Sequence, residues 1–244
     1  MEKVVINNGG FDVANSFESD STGSLTWDTG LYQALLKCAY FGTTKKGDPF
    51  VNLVIEINGI TKTFPIYIMY SDTHTTTKKG PDGKLKSMPG YIQMNSLSYI
   101  VTDKVFDQIS SNQEEKIIKA YNWDTRKEEP KTVMALTDLC NKQIKVGIKK
   151  VEKHKTALIN GQYVPTTETF FTNEIDRFYT EDGKLAKEKA EGKEASYALN
   201  FKKKAGQVYQ EKLSMTPIAP PAAPANAAAT AGTPGVQVTS LFDD

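Results

Sequence analysis

The residues that come closest to a catalytic motif are two aspartates and a downstream lysine. Pro81-Asp82 and Asp182-Gly183-Lys184 match, in outline, the PD…(D/E)xK pattern of metal-dependent nucleases. In that chemistry carboxylates hold Mg²⁺ and a lysine helps to position the attacking water. The sequences PDG and EDG are also typical of turns, and the nuclease motif needs its acids on adjacent core strands. We therefore expect two turns and no catalytic residue, with the nuclease as an alternative.

Soft metal ligands are few and scattered along the chain. Cys38, Cys140, His74 and His154 lack the paired spacing of a zinc site. The sequence contains no phosphate-binding loop, GxGxxG, GxSxG or HExxH motif. We expect no cofactor, no metal and no enzymatic activity. We interpret both cysteines as buried thiols in a reducing compartment.

Lysine and aromatic residues occur together between residues 37 and 91. Binding of single-stranded nucleic acid needs both, because cations neutralise phosphates and exposed rings stack on bases at about 1–3 kcal/mol per base. Taken alone, an aromatic residue in a strand more often packs in a core, and a lysine-rich loop is more often just solvated. The candidate contacts with single-stranded DNA are Lys37, Tyr40, Phe41, Lys45, Lys46, Phe50, Tyr67, Tyr70, Lys78, Lys79, Lys84, Lys86 and Tyr91.

These candidates depend on a three-stranded meander that the sequence predicts over residues 31–70. Residues 50–57 alternate between apolar and polar types, and Asn58-Gly59 predicts a type I′ hairpin turn after them. If Ile57 pairs with Ile60 across this turn, Tyr67 lies on the face opposite the apolar set. Pro65 indicates a bulge or an edge position, because proline cannot donate to the ladder.

Downstream of the meander the sequence predicts a long loop, then helices and strands. The loop spans residues 71–90, and a loop of that length is usually functional or disordered. Residues 95–102, 103–120 and 133–141 are predicted to be helical, with a cap at Ser110/Ser111 before an acidic first turn. Residues 143–150 and 163–171 are predicted to form a strand and its hairpin partner. Residues 173–213 are predicted to be two helices broken near Gly192.

Composition divides the chain into an irregular arm (1–24), a binding domain (25–213) and a disordered linker rich in proline and alanine (214–244). The net charge of +1 argues weakly against a protein that coats nucleic acid. The first residues lack an apolar signal core, and no apolar run is long enough to span a membrane. We expect a cytoplasmic protein.

Four segments resemble phage-encoded single-stranded DNA-binding proteins. They are ALLKCAYFGTTKKGDPFVNLVIEING (34–59), KGPDGKLKSMPGYIQMNSL (79–97), EEPKTVMALTDLCNKQIKVGIKK (128–150) and NEIDRFYTEDGKLAKEKAEGK (173–193). The resemblance implies a mainly β (α+β) fold, an OB-fold-like five-stranded antiparallel barrel with long loop insertions and peripheral helices. It also implies coating of single-stranded DNA in phage replication, recombination or repair, in the host cytoplasm, by a monomer or homodimer.

The resemblance further implies that the end of the chain recruits replication proteins such as polymerase, helicase or primase. Leu241, Phe242, Asp243 and Asp244 combine two apolar anchors with carboxylates. Three alternatives stay open: a single-strand annealing mediator that uses the same basic and aromatic surface, the nuclease, and a virion scaffold protein for which the tail is a tether.

Overall fold

The predicted meander is present in the computed structural model of the protein, which describes residues 26–122, 125 and 127–220. Strands β1 (Gly30–Thr43), β2 (Pro49–Ile57) and β3 (Ile60–Tyr67) pair antiparallel in that order. Ile57 pairs with Ile60, and the φ angles of 51° at Asn58 and 78° at Gly59 are those a type I′ turn requires. The prediction for residues 31–70 is therefore confirmed.

The two faces of the meander differ in exposure. Val51, Leu53, Ile55 and Ile57 are buried, whereas Tyr67 lies on the exposed face of β3. β3 is the last strand in its sheet, so Pro65 stands at an edge, as predicted. The hydrophobic core lies beneath the buried face.

The predicted loop at residues 71–90 contains more structure than expected. Strands β4 (Thr77–Lys79) and β5 (Leu85–Ser87) form a two-stranded ribbon, and helix α1 (Pro89–Thr102) begins before the loop was predicted to end. Proline is well suited to the first turn of a helix. At the next position, a Cβ on Gly90 would lie 2.0 Å from the carbonyl oxygen of Tyr67. Glycine thus lets α1 approach the end of β3 closely.

Two of the helix predictions are wrong. After the short helix α2 (Phe106–Ile109), residues 103–120 continue as strand β6 (Gln113–Asn122), which pairs antiparallel with β7 (Lys127–Leu136). Residues 133–141 contain the end of β7 and a 3-10 turn, Thr137–Leu139. Buried Val133 and Ala135 alternate with exposed Thr132 and Met134, which is the period of a strand. Pairing across the hairpin overrides local helix propensity here.

The strand pair at residues 143–150 and 163–171 is confirmed, and both strands are longer than predicted. β8 (Lys142–Ile159) pairs with β1 and with β9 (Gln162–Tyr179). Helices α3 (Ala186–Ala190) and α4 (Ser196–Lys202) lie on either side of Gly192 as predicted, but residues 173–179 belong to β9. Strand β10 (Val208–Gln210) runs parallel to β8.

In the described part of the chain, the main sheet has eight strands, with β10-β8-β1-β2-β3 as its central path. β7 pairs with β1 through Tyr40 and Ala135. The mainly β fold is confirmed. The predicted five-stranded barrel is not, because the strand pairing among the described residues forms a sheet that does not close. No helix among these residues is long and apolar enough to cross a membrane.

The described residues divide into two compact units, one within residues 26–153 and 171–211, and the other within residues 154–170 and 212–220. Within the second unit, Thr167 N–H donates to the carbonyl oxygen of Ile218 at 2.8 Å, and Ile218 N–H donates to that of Pro165 at 3.0 Å. The described start of the predicted linker is thus hydrogen-bonded. The predicted arm (1–24) and the residues 241–244 lie outside the described residues.

Both cysteines are buried, as predicted. They also meet: the Sγ atoms of Cys38 and Cys140 are 3.8 Å apart, in a small cluster with Tyr40 and Val133. The sequence does not predict this contact, because the two cysteines are 102 positions apart along the chain.

Candidate nucleic-acid interface

A cleft of about 540 Å³ opens where the β1–β2 turn meets the segment that follows β3. It lies wholly within the first compact unit. Five of the predicted DNA contacts come together on its walls, three lysines and two tyrosines. They are Lys45, Lys46, Lys78, Tyr67 and Tyr70.

The β1–β2 turn presents two lysines on a rigid frame. Thr44 N–H donates to the carbonyl oxygen of Asp48 at 2.9 Å, and Asp48 N–H donates to Thr44 Oγ1 at 3.0 Å. Lys45 and Lys46 stand exposed at the tip, and neither forms an ion pair within the described residues. Unpaired ammonium groups are free to bind phosphate without first losing a protein partner.

A buried carboxylate connects this turn to the opposite wall of the cleft. Asp48 is 4% exposed, and its Oδ1 is hydrogen-bonded to Nδ1 of His74. The His74 main chain is in the left-handed region (φ 53°), and its N–H donates to the carbonyl oxygen of Tyr70 at 2.8 Å. The side-chain contact therefore positions the two lysines of the turn relative to Tyr70.

The β4–β5 ribbon and its turn carry four of the predicted lysines. Lys78 lies directly opposite Lys86 in the β4–β5 register, and like charges at such positions repel. Lys78 pairs with Asp72, and the hydrogen bond lowers the pKa of that carboxyl. Lys86 pairs with Asp82 at 3.5 Å. A carboxylate thus balances each of these two lysines, whereas Lys79 and Lys84 are exposed and form no ion pair within the described residues.

The exposed aromatic surface is built across three adjacent strands. Tyr67 is 52% exposed, and its ring lies 5.5 Å from that of Phe50, its cross-strand partner. The Phe50 ring in turn covers Gly42, where a Cβ would lie 2.5 Å from a ring atom. Because Gly42 has no side chain, the Phe50 ring can pack on its main chain. Phe50 in turn packs against one side of the Tyr67 ring. The other side of the Tyr67 ring is open to solvent, as an aromatic ring must be to stack on a base.

Four predicted contacts lie elsewhere. Tyr40 is only 6% exposed, which argues against the predicted base contact, because the β6–β7 hairpin covers this part of β1. Phe41 is half-buried, with its ring 6.2 Å from that of Phe106. Tyr91 is half-buried, and the hydrogen bond from its hydroxyl to Asp107 (2.7 Å) raises its pKa. Lys37 is paired with Glu56 at 2.9 Å.

The two candidate nuclease segments are turns, as the simpler interpretation predicts. Asp182 pairs with Lys184 at 3.3 Å inside a turn that Thr180 N–H closes on the Lys184 carbonyl oxygen. Asp82 lies in the turn between β4 and β5 and pairs with Lys86. Among the described residues, no group of three His, Cys, Asp or Glu side chains is placed to hold a metal ion.

No protein-family model and no curated protein sequence matches this chain.

Proposed function

We propose that this protein binds single-stranded DNA, without catalysis, in the cleft between the β1–β2 turn and the segment after β3. The observation that carries the proposal is the combination of unpaired Lys45 and Lys46 with the exposed ring of Tyr67 on one cleft. Lysines neutralise phosphates whatever the sequence, and an aromatic ring stacks on any base. A single strand is the preferred ligand because its bases are free to stack on a protein ring.

The order of elements supports a distorted oligonucleotide-binding fold. β1, β2, β3, α1, β8 and β9 follow one another with the β6–β7 hairpin inserted before β8. In that fold, ligands lie across strands 2 and 3 and contact the loop between strands 1 and 2. The corresponding loop here is the turn that carries Lys45 and Lys46, and the corresponding strands carry Phe50 and Tyr67. We propose that the binding mode is the same although the sheet is open.

We also propose that residues 241–244 recruit replication proteins. Leu241 and Phe242 supply apolar contact area, and Asp243 and Asp244 supply charge for a basic-rimmed pocket on the partner. The same anionic segment would compete with DNA for the cationic cleft, because tethering raises its effective concentration.

Substitution of Tyr67 by alanine tests the stacking element of this proposal. Loss of one base–aromatic stack costs about 1–3 kcal/mol, which corresponds to roughly 5- to 150-fold weaker binding. We expect that loss for Tyr67→Ala when binding to a fluorescent oligo-dT is measured by anisotropy. The matched control is Tyr163→Ala, which removes an exposed tyrosine from the second compact unit and is expected to bind like the unmodified protein. Equal affinities for all three proteins would refute a stacking role for Tyr67.

A further inference from the structure

Strand β6 has one hydrogen-bonded neighbour and one open edge. It pairs along its ten residues with β7, and no other strand in the described part of the chain pairs with it. An open edge presents unpaired N–H and C=O groups that can template pairing with another strand.

The two faces of β6 are chemically different. Lys116 and Ile118 are half-buried, and Ile118 packs on the cluster that contains Cys38 and Tyr40. The other face points to solvent and carries Ile117, which is 76% exposed, beside Met134 of β7, which is 44% exposed. These two side chains give the solvent face of the ribbon apolar area that a partner can cover.

Opposite charges are placed symmetrically around Ile117. Glu115 lies two residues before it and Lys119 two residues after it, so all three side chains share the solvent face. Glu115 and Lys119 are exposed, and neither forms an ion pair within the described residues. In an antiparallel pair of identical strands centred on Ile117, Glu115 of each strand lies directly opposite Lys119 of the other.

We propose that two copies of this chain associate through β6, antiparallel and in register at Ile117, to give a continuous four-stranded ribbon. Two Glu115–Lys119 pairs and the juxtaposed Ile117 side chains define the register. The neighbouring register that a twofold axis allows centres on Lys116 and would set that lysine opposite its own copy, and like charges there are unfavourable. Because a closed twofold interface satisfies both edges, pairing stops at a dimer.

The association is expected to be weak and dependent on concentration. One strand edge and a narrow stripe of side chains offer less contact area than the roughly 1,200–2,000 Å² that a stable interface buries. The charge pairs are exposed, so salt screens them.

Charge reversal tests the register. In sedimentation velocity at about 50 mM salt without DNA, the unmodified protein should dimerise reversibly. Glu115→Lys and Lys119→Glu each create two like-charge pairs and should weaken the dimer at least tenfold. An equimolar mixture of the two variants should restore association, since every charge pair across the mixed dimer is then opposite in sign. The double variant should dimerise without a second protein, because its two substitutions exchange the charges within each pair.

The matched control is Glu114→Lys, which makes the same change of charge on the other face of β6 and should leave the dimer unchanged. Rescue by mixing shows that the single variants are folded. A monomeric unmodified protein would overturn the proposal, as would single variants that dimerise normally or a mixture that is not rescued. Because DNA is absent, these outcomes are independent of the DNA-binding proposal.

Discussion

The clearest quantitative consequence of the proposed interface concerns Lys45 and Lys46. The turn that carries them is held by main-chain hydrogen bonds, Thr44 and the buried Asp48, so replacing both lysines with glutamine should leave the fold intact. If each ammonium neutralises one phosphate, each contributes about −0.7 to the slope of log K against log[salt] on a single strand. The double variant should therefore lose about 1.4 of that slope, and binding at 0.1 M salt should weaken by roughly 25-fold.

The assay is fluorescence anisotropy of a labelled oligo-dT, titrated at several salt concentrations. The control is Lys203→Gln/Lys204→Gln, which removes an equal charge from an exposed neighbouring pair after α4, outside the cleft. Its slope should equal that of the unmodified protein. An unchanged slope for the cleft variant, or the same reduction for the control, would refute the assignment of these lysines to phosphate binding.

Three further predictions concern the tail, a buried carboxylate and the cysteine pair. Deletion of residues 241–244 should leave DNA affinity unchanged or tighter while pull-down of the polymerase or helicase partner is lost; weaker DNA binding would contradict this. Burial raises the pKa of Glu188, but the hydrogen bonds that its carboxylate accepts from Leu185, Ser196 and Tyr197 together lower the pKa by more, so the net shift is downward. Its stabilisation is therefore present above about pH 4.3 and lost as the pH falls through the lowered pKa. Urea titration should show Glu188→Gln destabilised by about 1–3 kcal/mol at pH 7, with a difference that shrinks as the pH is lowered below about 4.3, whereas a constant difference would contradict the linkage. Treatment with the thiol oxidant diamide should form a disulfide between Cys38 and Cys140, because their Sγ atoms need only close from 3.8 Å to about 2.05 Å. Intact-protein mass spectra should show the loss of two hydrogens, and Cys140→Ser should abolish that loss. Intermolecular crosslinks alone would contradict that pairing.

The sequence predicts the meander well because its signals are local. Alternation in residues 50–57 and the Asn58-Gly59 turn fix the register of β2 and β3, and this register places Phe50 beside Tyr67. The same turn signal recurs at Asn160-Gly161, where both residues have positive φ between β8 and β9. That dipeptide locates the turn and the ends of β8 and β9 beside it.

The sequence does not predict the β6–β7 hairpin, because the stability of this hairpin is not local. Residues 113–122 are rich in Glu and Lys, which favour helices in isolation, and their strand state depends on pairing with β7 and on burial of Ile118 against β1. Without this hairpin, Tyr40 is expected to be exposed, whereas the hairpin buries it. The Asp48–His74 contact joins residues 26 apart, and no motif in the sequence marks it.

In the proposed function, the cleft binds single-stranded DNA by phosphate neutralisation and base stacking. The most direct test is a salt-titrated anisotropy series with a labelled oligo-dT and a duplex of equal length. The proposed function predicts tighter binding to the single strand at every salt concentration, with affinity falling as salt rises. No detectable binding at low salt, or equal affinity for the duplex, would contradict it.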